Sequence, residues 1–184
     1  MVTDRLYRPL ALIRRKARAW RRRAFVEKAW FFAAYPLLGL ARLALLIVPF
    51  RRIAPWLGQN LQTAAVTPLA TARQTAQARH IGRAVQTAAR YTPWESKCLA
   101  QAMVARALLG IRRLPYALYL GVRKDGETGL AAHAWVCTGR LAVTGGHSFG
   151  QFTVVGTFVS KGIAPASFDT LPPTQALLTS LRNR

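Results

Sequence analysis

Residues 91–137 read YTPWESKCLAQAMVARALLGIRRLPYALYLGVRKDGETGLAAHAWVC, and a change of period inside this stretch decides the fold. Its first half, CLAQAMVARALL, is made of good helix formers and stops at Gly110. From Tyr116 the apolar period falls from the helical 3.6 to two, so Tyr116–Arg123 and Ala132–Cys137 are expected strands. Arg140–Thr144 and Phe152–Phe158 continue the pattern, with turn residues at Lys124–Gly129, Thr138-Gly139 and Gly145–Gly150. A helix followed by an antiparallel meander implies an α+β fold. Upstream of the helix, Thr92-Pro93-Trp94-Glu95 matches a capping box with proline at the first helical position, and Ser96 offers a second cap.

Working outward, residues 69–90 are rich in Ala, Gln, Thr and Arg, with an apolar stripe through Ala72, Ala76, Ile81 and Val85. Residues 37–48 read as a helix bounded by Pro36 and Pro49, and residues 3–28 as a basic surface helix. No strand signal precedes residue 115, and no repeat is present. The tail after Lys161 carries three prolines and reads as loop ending in a short helix at 174–182. The expected organisation is a basic, partly apolar helical region over 1–90, a core over 91–160 and a C-terminal tail over 161–184. At 184 residues there is room for one compact domain plus an extra element, and 52% hydrophobic residues exclude disorder throughout.

Lys and Arg total 27 against 6 Asp and Glu, a formal charge of +21. Ten of the basic residues fall within residues 1–28, alongside only Asp4 and Glu27. Such a balance implies an anionic partner, whether lipid, nucleic acid or acidic protein, although the excess of Arg over Lys also follows from a GC-rich genome. Residues 30–50, WFFAAYPLLGLARLALLIVPF, are long enough to cross a bilayer, with the Arg-rich flank on the cytoplasmic side. Against spanning, Pro36 and Gly39 interrupt the run and Arg42 sits in its middle, at about 2.5–3.5 kcal/mol on insertion scales. Membrane-surface contact through residues 1–50, docking on a partner and a simple core helix stay open beside it. A cleaved signal peptide is not expected, because the apolar run starts late and no A-x-A site is evident.

Two cysteines, Cys98 and Cys137, make neither a disulfide framework nor a metal-binding CxxC pair, so no metal and no cofactor are expected. A reduced, cytoplasmic setting fits such usage. Cys98 stands near the start of its helix, where unpaired backbone amides favour a thiolate and help hold an oxyanion; a cap at Ser96 strengthens that placement and a cap at Thr92 weakens it. The bland reading is a small buried hydrophobe on an apolar helix face. His133 lies in AAHAWVC, where alternation puts His133, Trp135 and Cys137 on one face of a strand and Ala134 and Val136 on the other. Alone it reads as structural; with Cys98 it forms a candidate nucleophile and base. Cys137 lies roughly 13 Å from His133 along the strand and lacks a helix terminus. His80 is expected on the surface and His147 in a solvated turn. The orienting acid is missing: in this half only Glu95, Asp125, Glu127 and Asp169 remain, none in the strand after His133.

PWESKCLAQAMVARALL (93–109), LPYALYLGVRKD (114–125), AHAWV (132–136), VTGG (143–146) and FTVVGTF (152–158) together resemble the protease half of the lasso-peptide biosynthesis B proteins, a transglutaminase-like, microcin-processing type. The resemblance covers about residues 90–160. It implies a papain/transglutaminase-like core, with Cys98 as nucleophile and His133 as base of a cysteine peptidase. The reaction implied is removal of a leader peptide from a ribosomally made precursor before a macrolactam cyclase acts on the core peptide; an acyltransferase on the same core and a non-catalytic membrane or partner adaptor stay open beside it. Many members supply an aspartate about a dozen residues after the histidine. Here that region reads Thr144-Gly145-Gly146, so Thr144, a backbone carbonyl or a residue from elsewhere orients His133, or the pair acts as a dyad. Some members carry their own leader-recognition domain, which residues 1–90 do not resemble. The expected partners are therefore the precursor leader, a separate leader-recognition protein, the cyclase and the inner face of the membrane, with no nucleic acid expected.

Overall fold

A computed structural model describes residues 25–64, 66–126, 129–146, 149–160 and 168–169. The helices are α1 (Phe25–Ile47), α2 (Phe50–Ile53), α3 (Ala72–Ala89) and α4 (Cys98–Ile111). The strands are β1 (Gln59–Asn60), β2 (Thr67–Pro68), β3 (Ala117–Asp125), β4 (Gly129–Thr138), β5 (Leu141–Thr144), β6 (Thr153–Val159) and β7 (Phe168–Asp169). The α+β expectation holds: a Cys-bearing helix precedes an antiparallel sheet, with further helices ahead of both. The basic helix expected over 3–28 and the short helix at 174–182 fall mostly or wholly outside the described residues.

The five-stranded sheet runs in the order β1-β6-β3-β4-β5. Strands β3, β4 and β5 form the expected meander, but β6 crosses over to pair with β3 instead of β5. Alternation locates strands without naming their neighbours, and the long 145–152 connection carries the chain across. Two short strands, β1 and β2, also precede residue 115; at two residues each they are too short to show a period.

Helix α1 runs straight through Pro36, where the expected helix began. Proline inside a helix costs about 3 kcal/mol. Burial of Ala34, Leu38 and Ala41 against the core offsets it, Leu38 alone contributing roughly 1.5–3 kcal/mol. Helix α3 opens with a capping box in which the Gln74 amide donates to Thr71 Oγ1 and the Thr71 amide donates to Gln74 Oε1. Its stripe is buried at Ile81 and Val85 but exposed at Ala72 and Ala76, because Ala78 and Gly82 face inward instead. A Cβ on Gly82 would lie 2.5 Å from the Val143 carbonyl, so this glycine lets α3 rest on the backbone of β5.

The sheet carries two cores. Leu118, Ala134, Val136, Val143 and Phe158 pack with Leu38, Ile81, Val85, Ala105 and Leu108 of the helices. Ala117, Tyr119, Trp135 and Val159 pack on the opposite face with Val66, whose carbonyl accepts from the Tyr119 hydroxyl. Residues on both sides of Tyr91 therefore share the helical core.

Candidate active site

Cys98 is the first residue of α4. Neither expected cap is used: the N-cap is Lys97, which makes no side-chain bond to the helix. The Thr92 hydroxyl instead lies 3.1 Å from both the Ala89 carbonyl at the end of α3 and the Trp94 carbonyl in the loop, either of which can accept its one proton, and 2.8 Å from Ser96 Oγ. Gln101 reaches back one turn to donate Nε2–H to the Ser96 carbonyl at 2.7 Å. These bonds hold the 92–97 loop, while the first-turn amides of α4, Cys98 N–H among them, have no side-chain cap. Cys98 is half-buried, and its backbone lies where helix amides favour negative charge.

His133 lies near the middle of β4, opposite Gly121 of β3. Strand β5 pairs only with Val136, Cys137 and Thr138, so beside His133 the β5 edge of β4 is open among the described residues. Gly145, just past β5, occupies this gap. Its carbonyl lies 2.8 Å from His133 Nε2. A carbonyl oxygen only accepts, so Nε2 carries a proton, and in the tautomer that leaves Nδ1 without one, Nδ1 is the nitrogen able to accept. The imidazole is also flanked by two rings, Phe152 at 5.0 Å and Trp135 at 5.9 Å between centroids.

Gly145 makes this contact because it is glycine. Its φ is +70°, and a Cβ there would lie 2.6 Å from the Ala134 carbonyl and 3.1 Å from His133 Nε2. The sequence admits a backbone carbonyl as the orienting group without singling out Gly145; the Gly-Gly pair after Thr144 is the available signal. Thr144 itself is buried, and its hydroxyl has no hydrogen-bond partner among the described residues. It does not bond the imidazole.

Cys98 and His133 line one cleft of about 410 Å³, together with Gln86, Ala89, Arg90, Gln101 and Gly145. The Gln86 amide donates to the Val143 carbonyl at 2.9 Å, and its NH₂ keeps a second donor. The cleft thus offers a thiol, an imidazole, two carboxamides and a guanidinium, a set suited to acyl transfer at a carbonyl. A larger groove of about 660 Å³ between Thr67–Ala76 and Gly139–Leu141 is lined by neither cysteine nor histidine.

The remaining candidates lie elsewhere. Burial pushes the Cys137 thiol up to about 12, which keeps it neutral. His80 is not the plain surface residue expected: its Nδ1 lies 3.0 Å from Glu27 Oε1. Glu95 pairs with Lys97 and Arg42, and Asp125 with Arg123. His147 and Glu127 lie outside the described residues. Among those described, no three His, Cys, Asp or Glu side chains are grouped to hold a metal ion.

Residues 44–157 match the family described as the transglutaminase-like superfamily, over more than half of the chain. The chain belongs to that superfamily. The matched span runs from the end of α1 to β6 and includes Cys98, His133 and Gly145. The transglutaminase-like superfamily is typically catalytic and includes cysteine peptidases and acyltransferases. No curated protein and no solved structure matches the chain.

Proposed function

We propose that this protein is a cysteine peptidase that removes the leader peptide from a lasso-peptide precursor before macrolactam cyclisation. The observation that carries the reading is the shared cleft of Cys98 and His133, in a transglutaminase-like chain whose imidazole is oriented through Nε2. The narrower substrate class rests on the C-L-x-Q-A, Y-L-G-V and A-H-A-W-V motifs at 98–102, 119–122 and 132–136.

In this mechanism His133 Nδ1 takes the Cys98 proton and the sulfur attacks the scissile carbonyl. Cys98 N–H and a cleft carboxamide stabilise the oxyanion. Collapse passes the proton from His133 to the leaving amine, freeing the core peptide. Water, activated by the same imidazole, then hydrolyses the thioester to release the leader. The Gly145 carbonyl holds the ring throughout and steadies the imidazolium. A separate leader-recognition protein presents the precursor, and the cyclase takes the freed core, in the cytoplasm.

The test is mass spectrometry of precursor incubated with the leader-recognition protein and either this protein or its Cys98→Ala variant. Free leader and core with the first, and intact precursor with the second, are expected. Cleavage by the variant refutes the role of Cys98. A condensed product in place of hydrolysis identifies an acyltransferase.

A further inference from the structure

Helix α1 is apolar on two faces, and the domain covers one. Glu27, Ala34, Leu38 and Ala41 are buried on the side that packs against α3 and α4. On the other side Leu40, Leu43 and Ile47, at helical spacing, are 61, 52 and 69% exposed, and Phe25 is 84% exposed. Trp56, shortly beyond the helix, is 77% exposed. A helix apolar all round belongs inside a core or at a bilayer, and a stripe this long marks an interaction surface.

Charge decides which partner. Glu27, the only acid of α1, is buried on the inner face. Arg51 and Arg52 stand exposed just past the end of the stripe. Residues 1–24, which enter at its other end, hold nine of the 27 basic residues and one acid, Asp4. A second copy would set +21 against +21. Folding residues 1–24 over the stripe would crowd like charges. An anionic bilayer accepts both the apolar stripe and the cations around it.

We propose that α1 docks flat on an anionic lipid surface, its Leu40, Leu43 and Ile47 stripe among acyl chains and the flanking arginines on lipid phosphates. The helix is long and apolar enough to cross a membrane by length and composition. It lies along α3, however, so crossing would draw His80, Arg83 and the exposed Arg73 and Arg79 into hydrocarbon. Flat docking leaves them in water.

The experiment is co-sedimentation of the full chain with vesicles of phosphatidylcholine, with or without phosphatidylglycerol. Binding to the phosphatidylglycerol vesicles alone, weakening as salt rises, is expected. The variant Leu40→Ser/Leu43→Ser/Ile47→Ser should bind about a hundredfold more weakly with an unchanged melting temperature. Arg51→Glu/Arg52→Glu, which leaves the stripe intact, should also lose affinity. Unchanged affinity in either variant overturns the proposal. So does an absence of vesicle binding, the result expected of an acidic protein partner. A dimer lost in the serine variant, or a lower melting temperature with vesicle affinity kept, places another copy or residues 1–24 on the stripe and overturns it too. Resistance of the bound protein to alkaline carbonate extraction indicates spanning and overturns flat docking.

Discussion

His80 and His133 each meet an oxygen at hydrogen-bond distance, Glu27 Oε1 at 3.0 Å for the first and the Gly145 carbonyl at 2.8 Å for the second. By residue type the first looks more like catalytic machinery, since a carboxylate orients its histidine. Yet the cavity beside Glu27, about 330 Å³, is lined by Arg83, Gln86, Thr87 and Arg90 and by no cysteine. The second has a neutral orienting group and shares its cleft with Cys98. Position relative to the candidate nucleophile Cys98, more than the strength of the orienting partner, separates the two. The His80–Glu27–Arg83 cluster ties α1 to α3. The His133–Gly145 contact holds a ring over a cleft.

Exchanging the two histidines' fates is the strongest way to break this comparison. His133→Ala should lower kcat/KM for precursor cleavage by about 10²–10⁴-fold, while His80→Ala leaves it within about twofold. Steady-state kinetics on both variants decides, and equal losses would erase the distinction. Gly145→Ala comes next. The φ of +70° and the 2.6 Å approach to the Ala134 carbonyl force the segment to shift. A fall in kcat of about ten- to a hundredfold is expected, with KM little changed, because the imidazole loses its alignment.

Glu27 sharpens the other side. Burial pushes its carboxyl up, but hydrogen bonds from His80 and Arg83, together with their charge, outweigh burial and hold it below its ordinary 4.5. A carboxyl lower in the folded chain than in the unfolded one stabilises the fold fully above about pH 4.5 and ceases to do so as pH falls through the folded value. Glu27→Gln should therefore cost about 1–2 kcal/mol at neutral pH, less than a fully buried pair because Arg83 is exposed. The gap between the two proteins should close below pH 4.5 in denaturant titrations, with cleavage unaffected at neutral pH. The smallest effect belongs to Cys137→Ser. A thiol held neutral up to about 12 reacts slowly, so iodoacetamide at neutral pH should label Cys98 and spare Cys137 in the parent protein.

Much of the candidate site was legible because a candidate nucleophile and a candidate base leave local signatures. Cys98 opens a run of helix formers, and His133 falls within an alternating strand. The helix start was less legible. Thr92 and Ser96 are good caps by type, but here their hydroxyls serve the loop and the Ala89 carbonyl, and α4 begins one residue past the nearer alternative. The path of α1 through Pro36 was hidden for a related reason: the local cost of proline is visible in sequence, and the burial of Leu38 that offsets it is not.

By itself, then, the amino-acid sequence determined the α+β order of elements, the candidate pair Cys98 and His133, and the lopsided charge, since periodicity and composition are local properties of the chain. Tertiary structure alone decided that β6 crosses to β3, that β5 ends short of His133, and that Gly145 fills the gap with its carbonyl toward Nε2. It also decided that one apolar face of α1 is buried and the other left open. The reason is common to all four: each depends on which backbone segments lie side by side, and a carbonyl that every residue carries leaves no mark in a sequence until the fold brings it to a partner.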